Sequence, residues 1–119
     1  MITVDFSRIP LDAGSRILDI GCGSGRHVCE AYRIRQANVV GADLDFQNLL
    51  DARERLRFHD QVGEHGDGTW HLNVSDIGQL PYNSRVFDLV ICSEVMEHIP
   101  DQDEAVREMV RVLKAEGNR

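Results

Sequence analysis

The 119-residue chain has no basic excess: 13 Lys and Arg stand against 20 Asp and Glu, a formal net charge of −7. That sign weighs against tight binding to nucleic acid or to an anionic membrane, both of which need a positive surface. No apolar run approaches the ~20 residues that cross a bilayer, so no membrane segment is expected. The opening residues, Met1 to Arg8, lack a basic stretch followed by an apolar one, so no secretory signal is expected and the expected location is the cytosol. Cysteine is scarce and odd in number: Cys22, Cys29 and Cys92, with no C-x-x-C. This argues against a disulfide framework and against a structural zinc site, and three reduced, mostly buried thiols are expected. There is no internal repeat and no low-complexity tract. What remains is an ordinary globular composition, 42% hydrophobic and 28% charged, at a length that suits one domain over 1–119.

Punctuation divides the chain into alternating strand and helix signals. Arg16–Ile20 is a short apolar run ending in glycines, the pattern of a buried strand. A helix is expected from Ser24 or Gly25 to about Gln36, then a second strand over Asn38–Ala42. Asp45 can cap a helix that places Phe46, Leu49, Leu50 and Leu56 on one face. The polar, glycine-rich stretch His59–Gly68 reads as a loop, and Thr69–Val74 as a third strand. Phe87–Cys92 is the fourth strand, followed by a helical turn over Glu94–Ile99. Asp101 with Glu104 forms a capping-box pattern ahead of a helix whose apolar residues are Ala105, Val106, Met109, Val110 and Leu113, with Gly117 as its stop. Such alternation predicts an α/β fold: a parallel sheet with helices on its faces, and a ligand site just beyond the carboxyl ends of the strands.

The residues at those ends are distinctive. The first strand runs into Asp19-Ile20-Gly21-Cys22-Gly23-Ser24-Gly25, where alternate glycines permit a tight bend and close approach to a ligand. A dinucleotide site is the main alternative, but a G-x-G-x-x-G pattern would place its third glycine where Arg26 stands. Asp19, two residues before the first glycine, would also repel a diphosphate and would favour a cationic ligand. The second strand ends at Asp43, an acid suited to the paired hydroxyls of a ribose. The third ends at Ser75-Asp76-Ile77: the acid can accept from an adenine amino group, the Ile77 backbone can serve a ring nitrogen, and Leu44 with Ile77 can cover the faces of the base. Each acid also has a plainer reading, as a helix cap or turn residue.

Taken together, these segments resemble the motifs of class I S-adenosylmethionine-dependent methyltransferases. Ile17–Gly25 is similar to the first motif, Gly41-Ala42-Asp43 to the second, Asp76 with Leu80-Pro81-Tyr82 to the third, and Phe87–Ile99 to the fourth. The likeness is greatest to the group that includes the ubiquinone-biosynthesis and type 11 methyltransferases, and it covers roughly Arg16 to Lys114. It implies a Rossmann-like three-layer sandwich whose parallel sheet here holds only about the first four of a usual seven strands. It further implies S-adenosyl-L-methionine as cofactor and a methyl acceptor that is most often a small molecule. By the same resemblance, Asp19, Gly21 and Gly23 would line the methionine part of the cofactor and Asp43 would hold the ribose hydroxyls; Cys22, between the two glycines, is also expected at the cofactor site. Asp76 and Ile77 would hold the adenine, Cys92, Ser93 and Glu94 would sit beneath the amino-acid part and face the substrate, and His98 is the candidate general base. Glu94, Glu97 and His98 also resemble a metal-binding pattern of RNA 3′-end methyltransferases, but that pattern needs a further histidine the chain does not contain, so no metal is expected. Where the family usually reads Leu-Lys-Pro-Gly-Gly, this chain reads Leu113-Lys114-Ala115-Glu116-Gly117 and then ends, so a fragment of a longer protein is expected. The fourth strand would then be an open edge, and pairing across it is the expected route to any homodimer.

Overall fold

A computed structural model of the chain describes residues 14–23, 25–34, 37–63, 65–92 and 101–114. They form four strands, β1 (Arg16–Ile20), β2 (Asn38–Asp43), β3 (Thr69–Val74) and β4 (Leu89–Cys92), and three helices, α1 (Arg26–Ile34), α2 (Phe46–Val62) and α3 (Gln102–Val112). The strands make one sheet in the order β3-β2-β1-β4, every pairing parallel. The chain therefore steps outward from β1 to β3, then returns to the other side of β1 for β4. That reversal leaves the carboxyl ends of the central strands accessible, the usual place for a ligand in such sheets.

Side chains of each strand alternate between two cores. Ile17, Val39 and Ile91 pack with Val28, Cys29, Ala31 and Tyr32 of α1 and with Leu49 and Leu56 of α2. Leu18, Ile20 and Ala42 face the opposite way, toward Leu80, Phe87, and Met109 and Val112 of α3. Helices thus cover both faces, giving the expected Rossmann-like three-layer sandwich.

The helix ends show what the sequence pattern misses. Asp45 caps α2 as expected, its carboxylate accepting from the backbone N–H of Gln47 at 2.9 Å and of Asn48 at 3.4 Å. The helix does not stop at His59, however. It runs to Val62 and ends at Gly63, whose φ of 73° lies in the left-handed region. The last turns of α2 and the loop after them are pinned to α1 and β3: Tyr32 and Trp70 both donate to the Asp60 carboxylate, and the His65 ring stacks on Tyr32. Phe46, expected on the buried face of α2, is 62% exposed, and Ala52 joins Leu49 and Leu56 there instead.

α3 begins at its expected cap, with Asp101 accepting from the Glu104 N–H at 3.0 Å. Its buried residues are Ala105 and Val112, while Val106 and Val110 face outward. It ends at Val112, before the expected stop, because Leu113 is extended and bridges to Phe87 in parallel. Phe87 N–H donates to Val112 O, and Lys114 N–H donates to Phe87 O. That pairing takes Phe87 out of β4, which starts two residues later than expected. Asp88 then accepts from Arg16 N–H and from Lys114 Nζ, fastening the start of β4 to β1. The outer edge of β4 itself has no strand partner among the described residues.

Candidate functional site

The cleft lies where β1, β2 and β3 end. Its walls are Ile20 and Gly21 after β1, Asp43, Leu44, Asp45 and Asn48 after β2, and Ser75 and Ile77 after β3. Its cavity volume is about 290 Å³, at the lower end of the size range that takes a small organic ligand.

The bend after β1 takes its shape from its glycines. Gly21, Gly23 and Gly25 have φ of 67°, 55° and 88°, a conformation that side-chain-bearing residues adopt only at a cost. Gly25 is also required by packing, since a Cβ there would lie 2.8 Å from the Cβ of Ala52 on α2. Each described N–H of the bend is already used. Gly21 and Cys22 donate to Ala42 O, Gly25 donates to Cys22 O, and Gly23 donates to the Asp43 carboxylate at 2.9 Å. The other oxygen of Asp43 accepts from Asp45 N–H at 2.8 Å. Asp43, only 8% exposed, thus joins the glycine bend to the start of α2 while keeping one free lone pair on each oxygen.

The remaining expected residues are distributed unevenly. Leu44 and Ile77 line the cleft, Leu44 standing 67% exposed at its edge. Asp19 is 2% exposed and borders a narrow void shared with His27 and Val28, rather than the open cleft. Cys22 is buried as well. Burial pushes its thiol up to about 12, and the carboxylates of Asp19 and Asp43 add to the effect. Asp76 is exposed; its carboxylate accepts from Gly78 N–H at 2.9 Å in a tight turn that Gln79 N–H closes onto Asp76 O. Ser93, Glu94 and His98 lie outside the described residues.

Sequence reasoning overlooked Asn48 and Ser75. Their positions held the only available signals: Asn48 stands three residues past the cap on the first turn of α2, and Ser75 directly precedes Asp76. α3 supports the site from behind. Arg111 donates to the carbonyls of Leu80 and Tyr82 and pairs with Glu108, whose carboxylate accepts from Leu80 N–H at 2.7 Å. The Leu80–Tyr82 segment that follows the β3 tip is therefore fixed to a helix.

The family model described as the methyltransferase domain matches residues 18–118. The chain belongs to this family. As a member of the methyltransferase domain family it is 34% identical over 105 residues to the ubiquinone biosynthesis O-methyltransferase of Neisseria meningitidis, covering 87% of this chain and 42% of that protein. It is 31% identical over 109 residues to the 27-O-demethylrifamycin SV methyltransferase of Amycolatopsis mediterranei, covering 92% of this chain and 38% of that protein. Among solved structures, the [4+2]-cyclase SpnF matches with a TM-score of 0.78 at 27% identity, over 91% of this chain and 38% of that one. The methyltransferase-family chain thus spans about two fifths of the length of these relatives. S-adenosyl-L-methionine is the cofactor of the family, and the cleft fits it: a carboxylate with free lone pairs, two apolar side chains able to cover a base, and an open bend of backbone.

Proposed function

We propose that this chain binds S-adenosyl-L-methionine in the cleft at the strand tips, and that the protein it represents transfers a methyl group to a small-molecule acceptor. The observation that carries this reading is how the glycine bend uses its donors. A diphosphate needs free backbone N–H groups, and those of Gly21, Cys22, Gly23 and Gly25 are spent inside the protein. Carboxylates at Asp43 and Asp45 border the cleft instead, an environment that favours a cation over an anion.

When bound, S-adenosyl-L-methionine supplies an activated methyl group on a positively charged sulfur. The chain's own residues bind and orient. Asp43 accepts from the ribose hydroxyls with the lone pairs that Gly23 and Asp45 leave free. Leu44 and Ile77 hold the base between apolar surfaces, with Asp76 at its edge. Gly21 and Gly23, lacking side chains, admit the methionine part, and the buried Asp19 contributes negative potential beneath it. Ser93 and Glu94 follow β4 directly and are assigned to the amino-acid end. His98 is assigned to remove the acceptor's proton, and alignment of the acceptor supplies most of the remaining rate.

The names of the rifamycin and ubiquinone-pathway relatives support a small-molecule acceptor, and the net charge of −7 weighs against nucleic acid. A cytosolic location goes with the three free cysteines. We also assign the uncovered β4 edge as the contact of a homodimer; a monomeric mass by light scattering at working concentration would remove that assignment. A second reading, a cleft that holds the cofactor without methyl transfer, is favoured by the likeness to a protein named a [4+2]-cyclase.

Calorimetry tests the binding claim. S-adenosylhomocysteine is expected to titrate one site per chain, with NAD giving no heat. NAD binding without S-adenosylhomocysteine binding would overturn the reading. Binding without consumption of labelled cofactor across an acceptor screen would favour the second one.

A further inference from the structure

The connection from β3 to β4 passes from one edge of the sheet to the other without a helix of its own, so its backbone polar groups must find partners elsewhere. α3 and the residues that end it supply them. Arg85 N–H donates to Arg111 O and Val86 N–H to Val112 O. Leu80 is held by side chains instead: its N–H donates to Glu108 Oε1 at 2.7 Å, and its carbonyl accepts from Arg111 Nη2 at 3.0 Å. The same guanidinium donates from Nη1 to Tyr82 O at 2.9 Å and to Ser84 Oγ at 3.2 Å, while its Nε and Nη2 grip the Glu108 carboxylate at 2.5 and 3.1 Å. Five N–H donors in a fixed plane allow this; a lysine ammonium carries three donors on one atom and does not span the set.

These bonds reach the cleft through one short turn. Leu80 directly follows the bridge between Asp76 and Gln79, and it is 5% exposed in the core that also receives Ile77, Met109 and Val112. Ile77, inside that turn, is at once part of this core and part of the cleft wall. The turn also rests on α3 at Gly78, where a Cβ would lie 3.3 Å from Glu104 Cδ. Glu108 and Arg111 themselves stand outside the wall. We propose that these two are positioning residues of the ligand site: by holding both backbone groups of Leu80 they fix the turn that carries Ile77, and with it one wall of the cleft. This rests on the reading of the cleft as an S-adenosylmethionine site and adds to it two residues that act without touching the ligand.

A double-mutant cycle separates positioning from general support of the fold. Arg111→Lys keeps a charge beside Glu108 but loses the planar fork. It should raise the Kd for S-adenosylhomocysteine roughly tenfold, the low end for a methylene-sized misfit in an apolar pocket. Ile77→Ala should raise it at least as much. In the double variant the lysine should add nothing, because the wall through which Arg111 acts is already gone. Effects that multiply would place the influence of Arg111 elsewhere and overturn the proposal, as would unchanged affinity in either single variant. Trp70 fluorescence checks that each chain is folded under the binding conditions. Should Arg111→Lys fail that check, Glu108→Gln takes its place in the cycle, with the same outcomes for and against. Absence of S-adenosylhomocysteine binding by the parent chain would instead defeat the function proposed above.

Discussion

Replacing Asp43 by asparagine should weaken the fold as well as the ligand site. Both carboxylate oxygens accept backbone N–H groups, from Gly23 at 2.9 Å and Asp45 at 2.8 Å, and the residue is 8% exposed. Asparagine offers one acceptor oxygen and one NH₂ group. Whichever way its amide turns, one of the two backbone donors faces another donor. An unsatisfied buried donor costs roughly 1–3 kcal/mol, and the surviving bond loses its charge assistance. A loss of about 2 kcal/mol, with a urea slope of about 1–3 kcal/mol per molar, moves the midpoint by about 1 M. Trp70, the single tryptophan, lies half-buried in β3 and reports unfolding by fluorescence. A midpoint within experimental error of the parent would refute the idea that Asp43 clamps the glycine bend. The same coupling bears on binding experiments: a lost affinity in this variant reports on the ribose only if a 2′-deoxy analogue loses less than the full ligand does.

Gly25→Ala should cost roughly 1–2 kcal/mol for a left-handed backbone and a further ~1–3 kcal/mol for overpacking against Ala52, seen as an early urea midpoint. Gly23→Ala, with φ of 55° but open space around the added methyl, should cost only the conformational part and lower affinity for S-adenosylhomocysteine. Burial raises the thiols of Cys22 to about 12 and Cys29 to about 11, so neither should react with a disulfide reagent at pH 8 until urea unfolds the chain; rapid native labelling of either would contradict their burial. The Arg111 hydrogen bond holds the Glu108 carboxyl below its usual value, against the opposing effect of burial. A depressed carboxyl stabilises the fold above its unfolded pKa, near 4.3, and that contribution is lost as pH falls through the lower folded value. Glu108→Gln should therefore unfold earlier than the parent at pH 7, with the difference shrinking below about pH 4; a constant difference would remove Glu108 from the acid transition.

The strands were legible because their boundaries are chemical: Arg16–Ile20 and Thr69–Val74 fall where the apolar runs and flanking glycines place them. Helix ends were less so. The polar residues from His59 to Gln61 do not stop α2, because polarity alone breaks no hydrogen bond; the left-handed Gly63 does. Val106 and Val110 satisfy helical spacing, yet spacing does not say which of two neighbouring stripes meets the sheet, and Ala105 with Val112 takes that place. The start of β4 was hidden because Phe87 pairs with residues 112–114, a contact between segments distant in sequence. At the candidate site, spacing singled out Asp43 and Gly21, which line the cleft. It could not show that Asp76 bonds within its own turn, or that Asp19 is 2% exposed beside a narrow void rather than in the open cleft, because the first depends on local turn geometry and the second on packing between β1 and α1.

The most direct test of the ligand site is a crystal structure of the chain with S-adenosylhomocysteine. The expected complex has the ribose hydroxyls within hydrogen-bonding distance of the Asp43 carboxylate and the adenine between Leu44 and Ile77. Ligand bound away from the tips of β1, β2 and β3, or a ribose turned away from Asp43, would contradict it.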